Sequence, residues 1–111
     1  MEISGETVGG VSVVTARGRL DGAASGPFAD QVQALIGADR PKLLIDFSGI
    51  DFVTSAGLRA VLTILKKVKS MNGAFALCNV QKPVREVLDI TGFAGMIDIH
   101  PERTSALAAL G

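Results

Sequence analysis

The chain has 111 residues, the length of one ordinary domain and too short for two independent cores. Apolar residues make up 48% of it, with Val, Ile and Leu prominent, which excludes intrinsic disorder. Eleven basic side chains balance eleven acidic ones, so the clustered positive excess that a phosphate backbone demands is missing and nucleic acid is excluded as a partner.

The lone cysteine, Cys78, leaves no intramolecular disulfide and no multi-thiolate metal site, and the lone histidine, His100, leaves no multi-histidine centre. No metal and no cofactor are expected. Trp and Tyr are absent, so only five Phe remain for aromatic stacking, most of them expected in the core. The acidic start Met1-Glu2-Ile3-Ser4-Gly5-Glu6 lacks the layout of a secretory signal. The longest apolar stretch, Leu58 to Leu65, is interrupted by Arg59 and cannot span a bilayer. The expectation is one cytoplasmic domain over residues 1–111 with no direct membrane contact.

The first twenty residues read as a β-hairpin: Glu2 to Val8, a two-residue Gly9-Gly10 turn that tolerates positive φ, and Val11 to Arg19. The breaker-rich loop Asp21 to Pro27 then leads into a helix. Ser25 is its expected N-cap, with Pro27 in the first turn, where a missing N–H is harmless. Phe28, Val32, Leu35 and Ile36 follow at the spacing of one helical face, and Gly37 closes the helix near Ala38.

Lys42 to Phe47 contains the continuous run Leu43-Leu44-Ile45, the mark of a strand covered on both faces. A loop from Asp46 to Val53 follows, then a helix from Thr54 to Met71 with the stripe Leu58, Val61, Leu62, Leu65 and Val68. Asn72-Gly73 supplies its stop signal. Ala74 to Val80 reads as a strand, and Pro83 to Ile90 as a helix with Val84, Val87 and Leu88 inward, capped by Thr91-Gly92. Met96 to Ile99 reads as a short strand and Glu102 to Leu110 as a last helix carrying Leu107 and Leu110. The order β-β-α-β-α-β-α-β-α predicts an α/β domain: a mixed, mostly parallel sheet with an N-terminal antiparallel hairpin and four helices.

Constellations for catalysis are thin. Asp46 and Asp51 stand five residues apart but read as turn and cap residues at a strand end, His100 reads as a loop or capping residue, and Cys78 as a small buried hydrophobe. Neither a G-x-x-x-x-G-K-[ST] loop nor a G-x-G-x-x-G run occurs. No catalytic residue is assigned, and no enzyme activity is expected.

One segment is not bland. Asp51-Phe52-Val53-Thr54-Ser55-Ala56-Gly57-Leu58-Arg59 puts two hydroxyls and two small residues at the start of a long amphipathic helix. Thr54 is a natural N-cap, which leaves Ser55 at the first helical position facing solvent. Gly57 in the first turn points to a close backbone approach. Free amides and the positive end of the helix dipole would stabilise a phosphate on Ser55, and a phosphoserine carries about −1.5 to −2 charges at neutral pH. On this chemistry alone, a capped helix start with a solvated basic face (Arg59, Lys66, Lys67) and a regulatory site stand even.

Three stretches carry a likeness over essentially the whole chain: Gly18-Arg19-Leu20-Asp21 with its small-residue loop, Leu44-Ile45-Asp46-Phe47-Ser48, and Phe52-Val53-Thr54-Ser55-Ala56-Gly57-Leu58-Arg59. Through them the sequence resembles the STAS domain family, in particular the small bacterial anti-sigma factor antagonists. The resemblance implies a sheet of four or five strands and a function of switching rather than catalysis. The unphosphorylated antagonist binds an anti-sigma factor serine kinase of the histidine-kinase-like ATPase fold. That kinase phosphorylates a serine at the start of the second helix, and a PP2C-type phosphatase reverses it.

Carried over by motif, Ser55 is the phospho-acceptor, with Thr54 second. Asp21 and Asp46 stand at the same end of the sheet, and Thr54, Ala56, Gly57, Leu58 and Arg59 join the docking surface. The family's helix often opens with Asp-Ser-Ser-Gly or Asp-Ser-Thr-Gly; here Thr54 holds the Asp position and Ala56 the position beside the glycine. These departures motivate an alternative, a non-phosphorylated STAS scaffold subunit of a lipid-transporting ABC complex. A third reading, a ligand-sensing or enzymatic crevice, would draw on Asp21, Asp46, Asn79 and Ser55. The hairpin offers an exposed edge strand, so a monomer or weak homodimer is expected.

Overall fold

The computed structural model of the protein describes residues 1–37 and 39–111. Strands β1 (Glu2–Val8) and β2 (Val11–Leu20) pair antiparallel with Val8 opposite Val11. Gly9 and Gly10 turn the corner with φ of 54° and 82°, the double positive φ that a two-residue hairpin matched to strand twist requires. After β2 come helix α1 (Gly22–Ala34), strand β3 (Lys42–Val53), helix α2 (Ser55–Ser70), strand β4 (Ala74–Cys78) and helix α3 (Lys82–Thr91). A single 3-10 turn (Phe93–Gly95), strand β5 (Asp98–His100) and helix α4 (Arg103–Leu110) complete the chain.

The sheet runs β1-β2-β3-β4-β5, antiparallel in its first pair and parallel in the other three. This is the mixed, mostly parallel α/β sheet with a hairpin and four helices that the element order predicts. Successive strand residues point to opposite faces, and the core divides accordingly. Val14, Ala16, Leu43, Ile45, Phe47, Phe75 and Leu77 join Phe28 and Val32 of α1, the apolar stripe of α2, and Val84 and Leu88 of α3 in the main core. Val11, Val13, Leu44, Ala76 and Cys78 form a smaller core with Ala106 and Leu110 of α4. The run Leu43-Leu44-Ile45 is apolar throughout because helices cover both faces. Among the described residues, no helix is long and apolar enough to cross a membrane.

Several boundaries differ from the sequence reading. Asp21, not Ser25, caps α1: its Oδ1 accepts the Ala24 N–H at 3.0 Å, and Pro27 lies inside the helix. The chain enters the helix directly from β2, and the carbonyl left without a partner by Pro27 belongs to Ala23, an exposed residue that water can satisfy. The helix ends at Ala34 with Leu35 as C-cap and 40% exposed; the expected end near Ala38 lies outside the described residues.

β3 runs on through the expected loop to Val53, because its pairing with β2 is irregular past Thr15 and again past Gly18 but resumes each time, so that Gly49, Ile50, Phe52 and Val53 keep partners on β2. β4 stops at Cys78, where Asn79 turns the backbone at φ 55°. His100 is the last residue of β5, opposite Cys78, rather than a loop residue.

A polar knot ties α4 to the sheet. Asp46, 5% exposed, accepts the Ser48 N–H at 2.9 Å, Arg103 Nη2 at 2.9 Å and Asn79 Nδ2 at 3.3 Å. Arg103 also reaches Thr15 Oγ1 at 3.1 Å and Glu6 Oε1 at 3.0 Å, so one guanidinium links β1, β2 and β3. Burial pushes the Asp46 carboxyl up, but the Ser48 amide, Arg103 and Asn79 outweigh it and hold the group below its ordinary value.

A depressed folded pKa contributes stability that is complete above the ordinary carboxylate range and lost as pH falls through the folded value. Urea denaturation from neutral pH into acid is therefore expected to show less acid-side loss in Asp46→Asn than in the parent. At neutral pH, Arg103→Met is expected to lose about 1.5–3 kcal/mol, the scale of a hydrogen bond to a charged group.

Candidate functional site

β2 and β3 end together, Leu20 opposite Val53, and each strand turns at once into a helix. The Leu20 carbonyl holds the second turn in place: it accepts the Thr54 N–H at 3.0 Å and the Thr54 hydroxyl at 3.5 Å. Thr54 Oγ1 in turn accepts the Gly57 N–H at 3.3 Å, the N-cap bond of α2. Asp21 caps α1 from the end of β2, so two capped helix starts leave the same end of the sheet.

Gly57 is buried against that end. A Cβ there would run into the Leu20 carbonyl oxygen and meet Leu20 Cγ at 2.9 Å and Val53 Cγ2 at 3.0 Å. The glycine serves close approach, as its place in the first turn suggested. Ser55 is the first residue of α2 and is exposed. The first amides of a helix have no intrahelical partner. The cap bond takes that of Gly57 and the Thr54 carbonyl that of Leu58, and those of Ser55 and Ala56 have no acceptor among the described residues. Ala56 is half-buried and Arg59 exposed. Together with Ser25, Gly26, Ala29, Ala60 and Thr63 they line a shallow depression between α1 and α2.

The structure gathers Asp21, Thr54, Ser55, Ala56 and Arg59 at one end of the sheet, but it separates three residues from the expected docking surface. Gly57 and Leu58 lie beneath it; Leu58 is 5% exposed in the main core, because the face of α2 that carries Leu58, Val61 and Leu65 must cover the sheet. Asp46 faces α4 on the opposite side of the sheet, seven residues before β3 ends, and its oxygens are committed to Ser48, Asn79 and Arg103. That placement also removes the crevice reading: Asp46 and Asn79 meet, but away from Ser55. A cavity of about 540 Å³ does lie beside the hairpin, lined by Met1, Ile3, Arg19, Asp21, Phe28 and Gln31 among others, and it includes neither Ser55 nor Asp46.

Two further residues, Arg19 and Phe52, meet at this end. Phe52 is 38% exposed, with the Arg19 guanidinium 4.3 Å from its ring centroid, a cation–π pair across β2 and β3. The alternation of inward Leu20 and Val53 with outward Arg19 and Phe52 is the signal, hidden once 46–53 is taken as a loop. Cys78 is the small buried hydrophobe expected: burial, with the Asp46 charge beside it, pushes its thiol up to about 11, so it stays protonated near neutral pH. Among the described residues, no group of three or more His, Cys, Asp or Glu side chains gathers to hold a metal ion.

The close approach at Gly57 sets a stability test. Ala is favoured over Gly in a helix by about 1 kcal/mol, but a methyl driven into a backbone carbonyl costs about 1–3 kcal/mol or more. Gly57→Ala is expected to lower Tm, at roughly 4–8 °C per kcal/mol of net loss. Gly26→Ala in α1, where the new methyl meets open space, is expected to hold or raise it. Thermal unfolding of both variants measures the difference.

The STAS domain family matches residues 2–106 of this chain. The anti-sigma F factor antagonist of Paenibacillus polymyxa is 27% identical over 111 residues, covering 99% of this chain and 95% of that protein. The crystal structure of an anti-sigma factor antagonist from Mycobacterium paratuberculosis superposes with a TM-score of 0.86 at 28% identity, over 98% of this chain and 92% of the other. The Bacillus cell fate determinant SpoIIAA in its phosphorylated form shares the fold, with a TM-score of 0.72 at 21% identity over 99% of this chain and 100% of its own. This chain belongs to the STAS domain family.

Proposed function

We propose that the protein is an anti-sigma factor antagonist switched by a phosphate on Ser55. Unmodified, it binds an anti-sigma factor that is also a serine kinase, and so frees a sigma factor; phosphorylated, it lets go, and a PP2C-type phosphatase restores it. The observation that carries this reading is the exposed hydroxyl of Ser55 in the first turn of α2, beside amides that the cap leaves over. Thr54 is the poorer acceptor because its oxygen is engaged with Leu20 and Gly57.

In the kinase step, Ser55 Oγ attacks the γ-phosphorus of ATP held by the partner. A new O–P bond forms as the bond to the β-phosphate oxygen breaks, ADP leaves, and the hydroxyl proton passes to a base of the kinase. The surface that the partner meets comprises Thr54, Ser55, Ala56 and Arg59, flanked by Asp21, Arg19 and Phe52. A charge of about −1.5 to −2 placed there opposes binding by repulsion and by the cost of desolvating it.

Incubation with the cognate kinase and ATP is expected to add one phosphate by intact mass, and Ser55→Ala is expected to abolish the label. Ser55→Asp is expected to weaken kinase binding more than tenfold, or about 1.4 kcal/mol. Unchanged labelling of Ser55→Ala would overturn the assignment. Thr54 and Ala56, in place of the family's commoner residues, favour a second reading in which a scaffold docks permanently on a lipid-transporting ABC complex. Co-purification with a transport ATPase and indifference to Ser55→Asp would select it.

A further inference from the structure

We propose that Arg59 closes over the phosphate on Ser55, so that a single modification both adds negative charge and withdraws the one cation that the first two turns of α2 present. This rests on the reading of Ser55 as phospho-acceptor. Positions 55 and 59 lie one turn apart on the same side of α2, and an acid followed four residues later by a base is the favoured order for a helical ion pair. Helical side chains lean toward the N-terminus, which carries the guanidinium back over the turn that holds Ser55 and Ala56. Arg59 and Ala56 line the same depression.

Arg59 is also uncommitted. It is exposed, and among the described residues the ion pairs involve Arg85 and Arg103 but not Arg59. Arg19 is stacked on Phe52, and Lys66 lies two further turns down the helix. A guanidinium matches phosphate oxygens with two parallel N–H bonds, so the unmodified protein keeps a docking cation that its phosphorylated form consumes. The other charged groups of this end are Arg19 on β2, Asp21 at the α1 cap and Asp51 on β3; they are common to parent and variant and drop out of a comparison between them.

The test needs no partner. Phosphoserine is installed at position 55 of the full chain during translation, and the second ionisation of the phosphate is followed by phosphorus NMR, alongside the Arg59 Nε–H resonance. The parent phosphate is expected to ionise about 0.3 pH unit lower than that of Arg59→Gln, the size of a helical ion pair. The Arg59 Nε–H is expected to move on phosphorylation, and Lys66→Gln to match the parent. Equal ionisation in parent and Arg59→Gln with an unmoved Nε–H would overturn the clamp. That result would leave Ser55 as the acceptor, which kinase labelling decides separately.

Discussion

The Leu20 carbonyl is the point on which this end of the molecule turns. It receives both the amide and the hydroxyl of Thr54, and Gly57 lies against it so closely that no side chain fits between. The three contacts give α2 one starting place and one distance from the sheet. The inward stripe of Leu58, Val61, Ile64, Leu65 and Val68 then continues the main core without a gap. Ser55 stands at the rim of this packing, held in position by neighbours that are themselves fixed.

Two adjacent hydroxyls divide the work. An N-cap contributes about 0.5–2 kcal/mol to a helix, and a hydroxyl engaged in that bond is held away from an attacking geometry. With the cap on Thr54, the Ser55 oxygen keeps its freedom. An aspartate at position 54 would also cap, so Thr54 preserves the acceptor the helix needs while changing its charge. Ala56 removes a rival hydroxyl next to the glycine and leaves Ser55 as the one exposed alcohol in the first turn of α2. The proposed antagonist therefore differs from the commoner motif in charge and redundancy, while the geometry of the helix start is kept.

Local chemistry made much of this legible. The Gly9-Gly10 hairpin, the Thr54 cap, the α2 stripe and the close approach of Gly57 all follow from turn residues, capping preference and helical period. Sequence and structure part where long-range pairing overrides a local signal. Ser48-Gly49 has the composition of a turn, yet pairing with β2 resumes at Gly49, opposite Arg17, and keeps the segment within β3. The family motif implies Asp46 at the same end as Ser55, but β3 runs seven residues past Asp46 before α2 begins, and Asp46 faces α4 on the other side of the sheet. Asp21 and Ser25 are both good caps by type, and Pro27 favours Ser25, but the end of β2 and not the proline decides where α1 begins.

The same geometry bears on how a phosphate can act here. The first turn of α2 is capped before any modification, so a phosphate on Ser55 has no loose segment to order and no existing cap bond to break. The sheet beneath is packed on both faces, and the polar knot of Asp46 and Arg103 secures α4 on the side away from α2. On the proposed reading, then, the switch works by changing the charge of a rigid platform and not by moving an element. At physiological salt a charge is felt over only about 8 Å. A partner able to sense the phosphate must therefore sit directly on the first turn of α2, where excluded water makes both the added charge and the loss of Arg59 count most.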